Sequence, residues 1–301
     1  LSGLIDDETL TTSGVGSTFN DKDVADAATV TINSATLVNG TNGGLASNYS
    51  LATGQTASAK ITAKALTATA SAENKTYDGD ATATSTLALN VDDFVGSETV
   101  TATVNGSTFN DKDVADAATV TINSATLVNG TNGGLASNYS LATGQTASAN
   151  ITAKALTAAA VAANKVYDGN TTATSTLTLS GLIDDETLTT SGVGSTFNDK
   201  DVADAATVTI NSATLVNGTN GGLASNYSLA TGQTASAKIT AKALTATASA
   251  ENKTYDGDAT ATSTLALNVD DFVGSETVTA TVNGSTFNDK DVADAATVTI
   301  N

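Results

Sequence analysis

The feature that most constrains this chain is its internal repetition. Residues Leu1–Asn123 recur letter for letter as Leu179–Asn301, a shift of 178 residues. Within that period lies a second one. The tripeptide Tyr-Asp-Gly begins at Tyr77, Tyr167 and Tyr255, and the block Gly-Ser-Thr-Phe begins at Gly16, Gly106, Gly194 and Gly284. Two alternating unit types of roughly 90 residues build the array, and a fixed period of this kind reads as one structural unit used repeatedly. The units are expected at 61–150 and 151–238, flanked by partial copies at 1–60 and 239–301. The truncated edges read as a window of something longer.

Within one unit the apolar pattern has a period of two, which predicts strands. The expected strands are Ile61–Ser71, Ala83–Val91, Thr99–Val104, Ala118–Leu127 and Tyr139–Ala147. Turn residues separate them: Tyr77-Asp78-Gly79, Asn105-Gly106, Asn129-Gly130 and Asn132-Gly133-Gly134. Residues Lys112–Ala118 are the one stretch with helical character, too short to hold a helix alone. The expected fold is all-β, a tandem array of small Ig-like β-sandwich repeats forming an extended rod, with a β-grasp as the alternative. Tyr77, Phe94, Phe109 and Tyr139 read as core anchors, one tyrosine hydroxyl fixing a corner. The junction Gly144–Lys165 has neither proline nor a Gly/Ser linker, which predicts a stiff connection between units.

Composition narrows the chemistry. The chain has no His, Cys, Met, Trp or Pro, and its 31 acidic residues outnumber 12 basic ones for a net charge of −19. Without His or Cys, the commonest general base, the thiolate nucleophile and N/S metal sites are excluded. No enzymatic activity is expected. The negative charge opposes nucleic acid and anionic lipid, and no apolar run is long enough to cross a bilayer as a helix.

Several segments carry candidate chemistry. Asp111, Asp113 and Asp116 place three carboxylates within six residues, a hard-oxygen set suited to Ca²⁺. The copies are Asp21, Asp23 and Asp26; Asp199, Asp201 and Asp204; and Asp289, Asp291 and Asp294. The competing reading is a solvated acidic loop, which also applies to Asp92-Asp93 and Asp184-Asp185-Glu186. No cofactor is required. Paired carboxylates suggest glycoside hydrolysis, but few aromatics are available for a sugar platform. Lys64 and Lys75 could enter an isopeptide crosslink, and Asn39, Asn48 and Asn74 lie in glycosylation sequons.

The run ITAKALTATASAENKTYDGDATAT at Ile61–Thr84, its copy at Ile151–Thr174, GLASNYSLATGQTASANIT at Gly134–Thr152 and FNDKDVADAATVTI at Phe109–Ile122 together resemble the YDG-type repeat domains of large bacterial surface proteins, similar to filamentous haemagglutinins. One departure is alanine at Ala63, Ala153 and Ala241, where that family commonly has proline. The resemblance implies an extracellular stalk or filament serving adhesion or matrix building, with structural roles for Tyr77, Asp78, Gly79, Phe109 and Tyr139. The resemblance names no ligand; unpaired backbone along Thr/Ala-rich strand edges makes neighbouring copies the expected partners, joined laterally or end to end, or else a host receptor. The second reading is a repeated carbohydrate- or protein-binding module acting by avidity.

Overall fold

The computed structural model describes residues 1–301. It divides into two compact units, Leu1–Lys154 and Ala155–Asn301. Both are built from short strands and one-turn 3-10 helices, with no α-helix. The expected all-β class holds. A β-grasp packs a helix on its sheet, so that alternative is overturned. Residues Lys112–Ala118 form turns.

In the first unit the longest elements are antiparallel hairpins. Leu10–Phe19 pairs with Thr29–Asn39, and Val100–Phe109 pairs with Thr119–Asn129. Each hairpin gains a third strand on the outer edge of its second member, Thr56–Ser58 in one case and Thr146–Ser148 in the other. A smaller antiparallel pair joins Ala68–Ala72 to Ser85–Leu89. Two parallel pairings complete the repeat: Lys64–Leu66 with Tyr139–Leu141, and Lys75–Thr76 with Ile151–Thr152. The second unit has the matching hairpin Leu188–Phe197 with Thr207–Asn217, the added strand Thr234–Ser236, and the parallel pair Lys165–Val166 with Ile239–Thr240. The Ile-Thr pair therefore joins the sheet of the repeat before it.

Three expected elements differ from the structure, each for a local reason. Ile61–Ser71 is two strands, Lys64–Leu66 and Ala68–Ala72, broken at Thr67. The Asp93 carboxylate accepts both the Thr67 N–H and hydroxyl, at 2.7 and 2.6 Å, and the chain changes partner there. Tyr139–Ala147 is also two strands, Tyr139–Leu141 and Thr146–Ser148, separated by Gly144 at φ 90°. Only glycine takes that backbone readily. Asn105-Gly106 is no turn: it lies inside Val100–Phe109 as a β-bulge, with Gly106 opposite Ser124. An extra residue of this sort bends and twists a strand without ending it.

Alternation within the strands fills the core. Val100, Ala102 and Val104 are covered while Thr101 and Thr103 face solvent. Leu66, Val100 and Tyr139 form the centre of one cluster, with Leu89, Phe94, Leu127 and Leu141 packed around them. The Phe94 and Tyr139 rings meet edge to face at 5.9 Å, a favoured aromatic geometry. In the second unit the equivalent of the other end of the repeat gathers Phe197, Ala205, Val208, Ala237 and Ile239, with Ala162, Tyr167 and Ala173 against it. The loop Asn129–Gly134 closes on the hairpin because Gly130 and Gly134 sit against the Thr99 carbonyl; a Cβ at either would lie 2.1 or 1.9 Å from that oxygen.

Candidate repeat-to-repeat interface

The acidic loop is held by its asparagine. Asn110 Nδ2 donates to the Asp116 carbonyl at 2.8 Å, while Asn110 Oδ1 accepts the N–H groups of Ala118 and Thr119 at 3.0 and 2.8 Å. Asn20, Asn198 and Asn288 repeat this pattern. The carboxylates are used locally. Asp111 Oδ1 accepts the Asp113 N–H at 2.8 Å, and Asp113 pairs with Lys112 at 2.6 Å. Asp21/Asp23, Asp199/Asp201 and Asp289/Asp291 make the same N–H contact. Asp26, Asp116, Asp204 and Asp294 cap the turn through backbone N–H donation to the carbonyl three residues earlier. No group of three or more carboxylates gathers at metal-binding distance.

What this loop does beyond its own fold is visible in the first unit. Asn138, in the 3-10 turn Ala136–Asn138, reaches the loop of the preceding repeat. Its Nδ2 donates to Asp23 Oδ1 at 2.8 Å, and its Oδ1 accepts the Val24 N–H at 2.8 Å. Asp23 also pairs with Lys22 at 2.7 Å. The Lys22 contact first, then the Asn138 amide, hold its carboxyl below the usual carboxylate range. A cleft of about 210 Å³ runs along this seam, bordered by Val24, Ile61, Lys64, Val95, Glu98 and Tyr139 among others.

Tyr139 organises the receiving side. Its hydroxyl accepts the Val95 N–H at 3.0 Å and donates to Glu98 at 2.8 Å. Burial, together with the Glu98 carboxylate, pushes its pKa up. The same three-way contact occurs at Tyr49 with Ile5 and Glu8, and at Tyr227 with Ile183 and Glu186. A four-residue turn, Val or Ile followed three residues on by Glu, is thus pinned by a tyrosine about 40 residues later in the chain. Its own backbone closes it, Glu98 N–H donating to the Val95 carbonyl at 3.1 Å.

The second unit shows what that turn meets. Tyr167, the tyrosine of Tyr-Asp-Gly, donates its hydroxyl to Glu276 of the following repeat. That bond raises the phenol pKa. Gly169 of the same tripeptide lies so close to Val273 that an added Cβ would be 2.7 Å from its Cγ1. Gly169 also holds φ at 81°, so glycine is required there twice over. A cleft of about 280 Å³ lies between Tyr167, Asp201 and Val202 on one side and Phe272, Val273 and Glu276 on the other. The central residue of the tripeptide is turned back into its own repeat: Asp168 pairs with Lys165 at 2.6 Å, as Asp78 pairs with Lys75 at 2.7 Å. The Tyr-Asp-Gly motif is therefore a contact surface as well as a turn.

Comparison with known families bears on this motif directly. The YDG domain matches residues 62–148 and 152–236, two tandem copies that together cover more than half of the chain. The chain belongs to the YDG domain family. No curated protein matches it, and no solved structure does. Within these YDG repeats Tyr77 and Phe109 are buried, at 1% and 4% exposure, and Tyr139 at 5%. Lys112 lies over the Tyr77 ring and Lys165 over Phe197, each at 5.9 Å. Gly79 takes φ 91°. The sequence pointed to these aromatics as anchors and left the acidic loop between a Ca²⁺ ligand set and a solvated loop. It missed Glu98, Asn138 and their copies, whose signal is the recurrence of Val/Ile-x-x-Glu and Ala-Ser-Asn-Tyr once per period.

Proposed function

We propose that this YDG array is the stalk or filament of a bacterial surface or secreted adhesin, giving reach for adhesion or matrix building. The observation that carries the reading is the seam between consecutive repeats. A polar clasp at Asn138 with Asp23 and Val24, and a tyrosine–glutamate contact at Tyr167 with Glu276, tie each repeat to the next within its unit. One of these contacts is seen at each of two seams; because the repeats share their sequence, an array that carries both at every seam opposes hinging, and opposing hinging is what converts repeat number into length. On this reading each repeat is a small Ig-like sandwich, its three-stranded sheet and smaller strand pair sharing the core around Leu66, Val100 and Tyr139, and the array is an extended rod. The absence of His and Cys, the net charge of −19 and the family membership support a structural, cofactor-free role outside the cell. Catalysis and nucleic-acid binding play no part in it.

The test is to display the full chain, and a chain shortened by one 178-residue cassette, on a cell surface with a terminal epitope, and to measure epitope height and binding to host glycans and proteins. A stalk loses height in step with the cassette and shows no ligand affinity in either form. Affinity that falls steeply on shortening would instead assign a binding array working by avidity.

A further inference from the structure

Within the two complete repeats, asparagine precedes glycine at Asn105, Asn129, Asn132, Asn217 and Asn220. The fold treats these dipeptides differently. Asn129 and Asn217 are locked: each Oδ1 accepts an alanine N–H at 2.8 Å, and the glycine that follows donates its N–H to a carbonyl at 3.0 Å. Asn105 lies inside the strand Val100–Phe109, with its amide on the Thr126 hydroxyl. Asn132 and Asn220 stand in exposed turns at φ 55° and 57°, followed by Gly133 and Gly221 at 85° and 87°. The N–H groups of Gly133 and Gly221 enter no hydrogen bond, and a Cβ on Gly133 would meet nothing within 4 Å. Each of these two asparagines ties down a turn. Asn132 Nδ2 donates to the Ser97 carbonyl at 2.9 Å, and Asn220 Nδ2 to the Asp185 carbonyl at 2.8 Å. Ser97 belongs to the turn that Tyr139 pins, and Val95 and Glu98 of that turn border the cleft shared with Val24 of the preceding repeat.

We infer that Asn132 and Asn220 are modification sites, each converting without an enzyme to aspartate and isoaspartate, and that the conversion unties the turn each one holds. The Gly133 nitrogen, its proton lost to solvent base, adds to Asn132 Cγ. The bond from Cγ to Nδ2 then breaks, ammonia leaves with a proton returned from solvent, and a five-membered succinimide remains. Water adds to one of its two carbonyls and opens the ring, giving aspartate or, from the other carbonyl, isoaspartate with the chain routed through the former side chain. Water is the only co-reactant. The attack requires the glycine nitrogen to turn toward the side chain, which an unbonded N–H and a residue without Cβ permit. A Gly130 or Gly218 nitrogen must first give up its hydrogen bond. The product carboxylate has acceptor oxygens only, so it loses the bond to the Ser97 carbonyl and faces that oxygen beside Glu98. Asn42 repeats the arrangement, with Gly43 at φ 86° and its Nδ2 donating to the Asp7 carbonyl at 2.7 Å. The inference holds whatever the array is used for.

Incubating the folded whole chain at mildly alkaline and mildly acidic pH, followed by peptide mapping with fragmentation that separates isoaspartate from aspartate, tests the chemistry. Asn132 and Asn220 gain a single mass unit each, faster at the alkaline pH because the attacking nitrogen must shed its proton. Asn129 shares a lysine-to-lysine peptide with Asn132 and serves as its internal control. Two hydrogen bonds hold Asn129 and Gly130, so conversion at Asn132 leads it by at least about tenfold. Equal conversion at Asn105, Asn129 and Asn132 overturns the inference, since the dipeptide alone would then decide and the fold would not. An Asn132 that keeps its amide as long as Asn129 does overturns it as well. The consequence is tested by hydrogen exchange on the Asn132→Asp variant. The Glu98 amide, which closes the turn onto the Val95 carbonyl, exchanges faster than in the unmodified chain, while the Thr119–Asn129 amides keep their protection. Unchanged exchange at Glu98 overturns the claim that the conversion unties the turn.

Discussion

At the residue scale, single hydroxyl and amide groups do the positioning. The Tyr139 hydroxyl joins Val95 and Glu98, so Tyr139→Phe keeps the ring packed on Phe94 but leaves the turn untied. The expected cost is about 1–2 kcal/mol, measured by urea unfolding, with the far-UV spectrum unchanged. Asp80 is the clearest titrating group. The Thr82 hydroxyl first, then Lys75, bring its pKa to about 2, and Asp258 is held to about 2 by Thr260 and Lys253. Because the folded values lie below the ordinary carboxylate value, these groups contribute stability above pH 4 that fades as pH falls toward 2. The melting temperature should drop across that window, and the drop should be smaller in the Asp80→Asn/Asp258→Asn double variant. The aromatic anchors were legible because few large apolar side chains compete for the core. Their polar partners were not, since Tyr139 and Glu98 lie far apart in sequence and nothing local marks the pair.

At the element scale, one carboxylate decides whether a strand breaks. Asp93 captures Thr67 and Asp271 captures Thr245, and in both copies a short strand, Ala68–Ala72 or Ala246–Ala250, begins immediately after. The alternate unit type has no aspartate at this place, and its strand Lys154–Ala162 runs unbroken. Asp93→Ala should therefore lower the melting temperature, and hydrogen exchange should speed up at the Thr67 amide while the Thr119–Asn129 amides keep their protection. Period-two alternation located the strands correctly in outline because each sheet has one covered face. It could not see the break at Thr67 or the split after Leu141, since both come from a change of partner with no change in pattern. The bulge at Gly106 was misread for a related reason: Asn-Gly marks tight turns and bulges alike, and only the pairing of Ser107 with Ile122 beyond it distinguishes them.

At the scale of the whole molecule, the account turns on the seams between YDG repeats. The repeat itself was legible because its letters recur, although identical segments do not fold identically throughout: Val100–Phe109 is one strand, whereas its copy is a strand only at Ser285–Phe287. The seam was not, because Asn138, Glu276 and Gly169 act on residues outside their own repeat, and a unit read in isolation offers them no partner. If the seams resist bending, each repeat adds on the order of 30–40 Å. Small-angle X-ray scattering on the full chain in dilute solution is the most direct test. The account predicts a rod, with a radius of gyration of at least about 30 Å and a cross-section that stays constant when Tyr167 and Asn138 are intact. A radius of gyration near 19 Å, the value for a compact globule of this length, or a profile of freely jointed beads, would contradict it.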